Sequence, residues 1–136
     1  MIVIDLDTVM PGLMGHDFGD AIRFAANYAE EDCRDLSRVG VNLDVFRAFA
    51  EGFLSKTADT MTDMEVKTLA LSCFVLTVEL ATRFLADYLD GDLYFKTNAP
   101  DHNLARTRCQ IALAQDMHKH MEQMEAIVRQ CVEAAR

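Results

Sequence analysis

Positive charge is scarce in this chain. Thirteen Lys and Arg stand against 22 Asp and Glu, giving a formal net charge of -9 and a pI of about 4.7. Affinity for a phosphate backbone rests on Lys and Arg, so nucleic acid is not an expected partner. Cysteine pairing is missing as well. Cys33, Cys73, Cys109 and Cys131 are far apart, with no Cys-x-x-Cys spacing, and three of them lie in helical, apolar contexts where Cys acts as a small hydrophobe. That pattern suits a reducing cytoplasm and not a disulfide framework. Residues 1–4 lack a basic flank and acids follow at once, so a signal peptide is not expected. No apolar run reads as long enough to cross a membrane, and no membrane partner is expected. Histidine supplies no ligand set: His118 and His120 are two apart on a helix, and His16 and His102 read as loop residues, so zinc is not expected.

What is present is a real core. The chain has 136 residues, of which 51% are apolar, and a mean hydropathy of +0.03, the profile of one soluble globular domain. Phe18, Ala21, Ile22, Ala25, Ala26 and Ala29 predict a first helix from Asp17 to about Ala29. Asp44 reads as the N-cap of a second, running to about Lys56. Thr62 and Glu65 have capping-box spacing at the start of a third, to about Leu89. Between Leu69 and Ala81 this third helix is apolar nearly all round, so it is expected at the centre of the fold, surrounded by protein. Gly91 ends it, and Asn103 reads as the cap of a last, longest helix to about Ala135.

That last helix carries Ala114, Met117, Met121, Met124, Val128, Cys131 and Ala135, spaced alternately three and four. Such a heptad seam reads as packing within one bundle, with a dimeric coiled coil as the alternative. The expected fold is mainly α, with one short β-strand at Ile2–Ile4. A lone strand cannot satisfy its own backbone hydrogen bonds, so its partner is expected in sequence outside this chain or in a second copy.

The chemistry concentrates in residues 2–20. Ile2, Val3 and Ile4 deliver Asp5 and Asp7 into a turn with Pro11 and Gly12, and Asp17 and Asp20 follow at a helix entry. Carboxylates at a strand end can hold Mg²⁺ over nucleotide phosphates, because a hard cation prefers oxygen ligands. Read without further context, such acids are also ordinary turn residues.

Here the chain resembles the aminoglycoside phosphotransferase-like, or choline-kinase-like, family of small-molecule kinases. The stretch Ile4-Asp-Leu-Asp-Thr-Val-Met-Pro-Gly12 with Asp17-Phe-Gly-Asp-Ala-Ile-Arg23 is most similar to the N-acetylhexosamine 1-kinases. The later stretches Arg83–Lys96 and His102-Asn-Leu-Ala-Arg106 are similar too, so the resemblance spans almost the whole chain. It implies that residues 1–136 are a single partial domain, the helical C-terminal lobe of a protein-kinase-like fold.

The resemblance further implies an ATP-dependent transfer to a sugar hydroxyl, driven mostly by positioning and charge neutralisation. Asp5 would bind Mg²⁺ and, through it, ATP; Asp7 would tune that site or bind the metal through water. Arg83 and Tyr94 would bind the sugar, although an internal Glu79–Arg83 ion pair competes for that arginine. Asp17 would brace a catalytic loop, and Asp20 is a first-turn acid favoured by the helix dipole. Both are structural acids on physical grounds. The literal Asp-Phe-Gly at 17–19 opens a helix instead of ending a strand, so its likeness to the protein-kinase magnesium motif is one of spelling.

No His-x-Asp-x-x-x-x-Asn catalytic loop occurs in the sequence, and no catalytic base is assigned. The chain is expected to be inactive alone, as a fragment of a longer kinase, a frame begun at an internal Met, or a remnant. In the alternative it is a non-catalytic helical domain that self-associates through its strand edge and heptad seam.

Overall fold

The computed structural model describes residues 9–136. Over that range the chain is mainly helical, with α1 (Met14–Ala25), α2 (Leu43–Thr57), α3 (Asp63–Leu89), α4 (His102–Lys119) and α5 (Met121–Ala135). The strand expected at Ile2–Ile4 lies outside the described residues. Among the described residues β-type pairing is confined to one antiparallel bridge, Asn27 with Val41.

One aromatic cluster of the core joins α1 to α2. Phe18 is fully buried, with the rings of Phe46, Phe49 and Phe53 at 5.8, 5.6 and 5.2 Å in edge-on geometry. A buried side chain of that size contributes roughly 1.5–3 kcal/mol. On its other side α1 presses against α3. A Cβ at Gly19 would lie 2.8 Å from the Ser72 carbonyl oxygen, and one at Gly15 would lie 3.0 Å from the Ser72 Cβ. Two glycines one turn apart therefore set how closely these helices approach. Phe and Gly of the Asp-Phe-Gly string are packing residues.

Helix starts follow local chemistry, with three shifts from expectation. Helix α1 opens at Met14 and not at Asp17, so His16 lies in the helix and not in a loop, and it ends at Ala25, short of Ala29. Thr62 and Glu65 form the reciprocal capping box, Glu65 N–H to Thr62 Oγ1 at 3.2 Å and Thr62 N–H to Glu65 Oε2 at 2.8 Å. The cap of α2 is Asn42 and not Asp44: its Oδ1 accepts from the N–H groups of Asp44 and Val45. Asp44 instead supplies first-turn negative charge. Helix α4 begins at His102, and Asn103 is fully buried inside its first turn, its side chain committed elsewhere.

The expected last helix is two. His120 closes α4, donating its N–H to both Asp116 and Met117 carbonyls, and α5 restarts at Met121. This break lets one apolar seam serve two neighbours. Ala114 and Met117 belong to α4, which packs on α3; Met124, Val128 and Cys131 belong to α5, which packs on α2 and α3, and all five are buried. The seam is used inside the molecule, as bundle packing.

Helix α3 occupies the centre, touching α1, α4 and α5. Its buried face carries Leu69, Ala70, Cys73, Thr77, Ala81, Phe84 and Asp87. The opposite face is open, with Leu71, Val75 and Val78 exposed by 45, 49 and 41%. This corrects the expectation of a helix surrounded by protein. It also corrects the reading that no run could cross a membrane: α3 has 27 residues and a mean hydropathy of 1.7 over its most apolar window. A core helix of a soluble bundle has that same composition, and one third of the window is buried here.

Candidate functional site

Of the acids singled out in the sequence, Asp5 and Asp7 lie outside the described residues. Asp17 is an exposed first-turn residue of α1. Asp20 sits beyond the first turn, not in it. Its Oδ1 accepts from Arg23 Nε at 3.0 Å and from a terminal guanidinium nitrogen at 2.9 Å, so its partner is a side chain and not the helix dipole. The buried Arg23 also donates to Glu31 at 2.7 Å, tying α1 to the segment that follows it.

Arg83 and Tyr94, eleven positions apart in the chain, are brought together. The Arg83 guanidinium carbon is 5.8 Å from the Tyr94 ring centre and 5.5 Å from that of Phe95. The Tyr94 and Phe95 rings meet edge-on at 4.8 Å, and Phe95 is anchored on Phe84 at 4.7 Å. Tyr94 is 75% exposed. The competing Glu79–Arg83 pair is there at 3.8 Å, but both side chains are about half exposed, not buried as expected. An exposed i, i+4 pair is worth only a few tenths of a kcal/mol and does not lock the arginine.

The loop that carries Tyr94 is built by a buried carboxylate. Helix α3 ends in a Schellman turn: Gly91 N–H donates to Tyr88 O at 3.3 Å and Asp92 N–H to Asp87 O at 2.8 Å, with Gly91 at φ +93°. Asp92 follows at φ +59°, held by Asn103 Nδ2 at 2.8 Å. The chain then wraps the Asp87 carboxylate, which accepts from the N–H groups of Leu93, Tyr94 and Phe95 at 2.9, 2.7 and 3.0 Å and from Asn103 Nδ2 at 2.8 Å. Burial pushes this carboxyl's pKa up, but the four donors outweigh it and leave the group below its ordinary value. Arg106 completes the frame, donating to Lys96 O and Asn103 Oδ1 and covering the Phe84 ring at 5.3 Å.

Two further ties hold the segment after α1 against the start of α4. Arg34 makes a two-pronged pair with Asp101, both contacts 2.8 Å. His102, expected in a loop, is the buried first residue of α4. Its Nδ1 accepts from Asn98 N–H at 3.0 Å, so Nε2 carries the proton and donates to Asp32 at 3.0 Å. Among the described residues no group of three or more His, Cys, Asp or Glu is placed to hold a metal ion.

None of these roles was assigned from sequence. Asp87 carried a signal: a charged residue at the spacing of the buried positions of a long apolar helix, four residues before a glycine, must find donors. Arg34–Asp101 and His102–Asp32 join residues about seventy positions apart and carried none. A separate cleft of about 520 Å³ lies beside Arg23, Asn27, Tyr28, Glu31 and Gln110, and includes neither Arg83 nor Tyr94.

The Arg83–Tyr94 surface offers a planar cation, an exposed aromatic face and a phenol on a firmly braced loop. That set suits a small polyhydroxylated ligand, which needs a surface to stack on and donors at its edge. No protein-family model matches the chain.

Proposed function

We propose that this chain is the C-terminal, substrate-facing part of an ATP-dependent small-molecule kinase whose acceptor is a sugar of the N-acetylhexosamine type. The observation that carries the reading is the meeting of Arg83 and Tyr94. The resemblance assigns both residues to the sugar, and they lie 5.8 Å apart on a surface rigidly held from beneath by Asp87. Neither residue type nor spacing required that proximity.

In this reading the guanidinium and the phenol donate to sugar hydroxyls or to the acetamido carbonyl, and the Tyr94 ring covers one face of the pyranose. In the same reading Asp5 would bind Mg²⁺ and ATP, Asp7 would tune that site or bind the metal through water, and the setting is the cytoplasm. The described residues contribute acceptor recognition alone. No His-x-Asp-x-x-x-x-Asn string is present to supply a base, so phosphoryl transfer by these 136 residues in isolation is not part of the proposal.

Titration of the isotope-labelled chain with N-acetylglucosamine, followed through its amide resonances, tests the reading. Shifts centred on residues 93–96 that saturate in the millimolar range are expected. Arg83→Ala and Tyr94→Ala should each weaken binding at least about fivefold, the loss of one good hydrogen bond or stacking contact. Sugar-induced shifts that are absent, or that persist unchanged in both variants, would sink it.

A further inference from the structure

The open face of α3 is more ordered than a scatter of surface apolar residues. Met64, Thr68, Leu71, Val75, Val78, Thr82, Leu85 and Leu89 recur at alternating steps of four and three along the whole helix, and every one is exposed. Exposure reaches 66% at Met64 and 74% at Leu89, the two ends. This is a coiled-coil repeat about 40 Å long, at 1.5 Å per residue. The two threonines fit it because their hydroxyls are already used: Thr68 Oγ1 donates to Met64 O and Thr82 Oγ1 to Val78 O, each at 2.9 Å. Their methyl groups are free to pack without stranding a polar atom.

The repeat matches itself when reversed. Laid antiparallel on a second α3 about a two-fold axis between residues 76 and 77, it gives four kinds of layer: Val75 on Val78, Leu71 on Thr82, Thr68 on Leu85 and Met64 on Leu89. Each threonine meets a leucine. The flanking positions then oppose Glu65 to Ala86, Glu79 to Ser72 and Lys67 to Tyr88, so no like charges meet. A parallel pairing would instead stack Thr68 on Thr68 and Thr82 on Thr82, and would set the Glu79 carboxylate against Phe74. Self-complementarity about a two-fold axis is what an isologous dimer requires. An apolar groove of about 280 Å³ between α3 and α4, lined by Phe74, Val78, Leu85 and Ile111, widens the surface on one side.

We propose that a second copy of this chain covers this face, forming an antiparallel α3–α3 dimer. The dimer goes beyond the sugar-kinase reading and does not depend on it. Two copies of formal charge -9 repel one another, so the apolar seam supplies the attraction and added salt strengthens association.

Sedimentation velocity on the purified chain tests the proposal. A seam of this size lies at the small end of specific interfaces, so a dimer populated from about 10 μM upward is expected. It should strengthen between low and moderate salt. Val75→Glu and, separately, Thr82→Glu should leave a helical, cooperatively folding monomer, since both positions are exposed. Register is read by mixing two cysteine variants, Val75→Cys and Val78→Cys, in a Cys33→Ser background under mild oxidation. Cross-linking that needs both variants together supports the antiparallel layers. Val75→Cys cross-linking to itself at the same yield would overturn them. A monomer up to about 200 μM would overturn the dimer, as would a monomer that floats with phosphatidylcholine vesicles through the same face.

Discussion

Two stretches of this chain repeat apolar residues at steps of three and four, and the fold treats them in opposite ways. The seam from Ala114 to Ala135 is bent at His120 and consumed: Met117 and Met124 are fully buried within their own molecule. The stripe from Met64 to Leu89 runs unbroken along one helix and faces outward. A 3.5-residue period states that a helix needs a partner and leaves open which one. The decision falls to the breaks. A turn at His120 swings half the seam toward α2, whereas nothing interrupts α3, whose other face already holds α1 and α4.

Truncating one member of each repeat should separate them most sharply. Met124→Ala removes a fully buried side chain from the joint between α5 and the core, and should cost about 2–5 kcal/mol in urea unfolding of the dilute protein. Leu71→Ala, 45% exposed on the stripe, should cost well under half of that in the same dilute measurement. At high concentration the order of sensitivity changes, because Leu71→Ala then also weakens the dimer. Equal losses for the two variants at dilution would show that the stripe is internal after all.

The same contrast between consumed and open surface appears in the glycines. Gly19 in α1 leaves no room for a Cβ beside the Ser72 backbone, whereas nothing lies within 4 Å of a Cβ at Gly52 in α2. Alanine improves helix propensity by about 1 kcal/mol at either site. At Gly52 that gain stands alone, so Gly52→Ala should raise stability by about 0.5–1 kcal/mol. At Gly19 overpacking of about 1–3 kcal/mol offsets or exceeds it, so Gly19→Ala should lower stability by up to about 2 kcal/mol. A stabilising Gly19→Ala would mean that α1 can slide away from α3 at no cost.

Much of this architecture was legible, and the reasons differ by element. Helical spacing located α1, α2 and α3 and merged α4 with α5 into one, and Thr62 with Glu65 fixed one start because a capping box is a purely local device. The caps of α2 and α4 each lie two residues before the expected position, since Asn, Asp and neighbouring polar residues compete locally for the same backbone donors. The break at His120 had no glycine or proline to announce it. For the candidate site, Arg83 and Tyr94 were named from a resemblance, but what brings them together, the Asp87 carboxylate gathering three successive N–H groups, is a tertiary arrangement that spacing does not encode. The Asp-Phe-Gly-Asp string shows the converse: its letters invite a catalytic reading, and its Phe18, Gly19 and Asp20 are occupied with core packing, helix approach and an ion pair.

The smallest effect is expected where surface meets surface, at Arg34 and Asp101. The hydrogen bonds from Arg34 hold the Asp101 carboxyl down from an ordinary 3.8 to about 2. A carboxyl depressed in the folded state contributes stability above its unfolded pKa and loses it as pH falls through the folded one. The Arg34–Asp101 contribution is therefore complete above pH 4 and fades toward pH 2. Both side chains are about half exposed, so solvent screening keeps it small. Asp87, whose pKa is also lowered, acts with the same sign, so the bracing of the Tyr94 loop weakens as pH falls below the ordinary carboxylate range. Asp101→Asn should lower stability slightly at neutral pH, and its difference from the unsubstituted chain should shrink below pH 4 and vanish once pH falls below about 2. A difference that instead grew with acidity would mean that Asp101 is protonated in the folded protein and that Arg34 does not hold it.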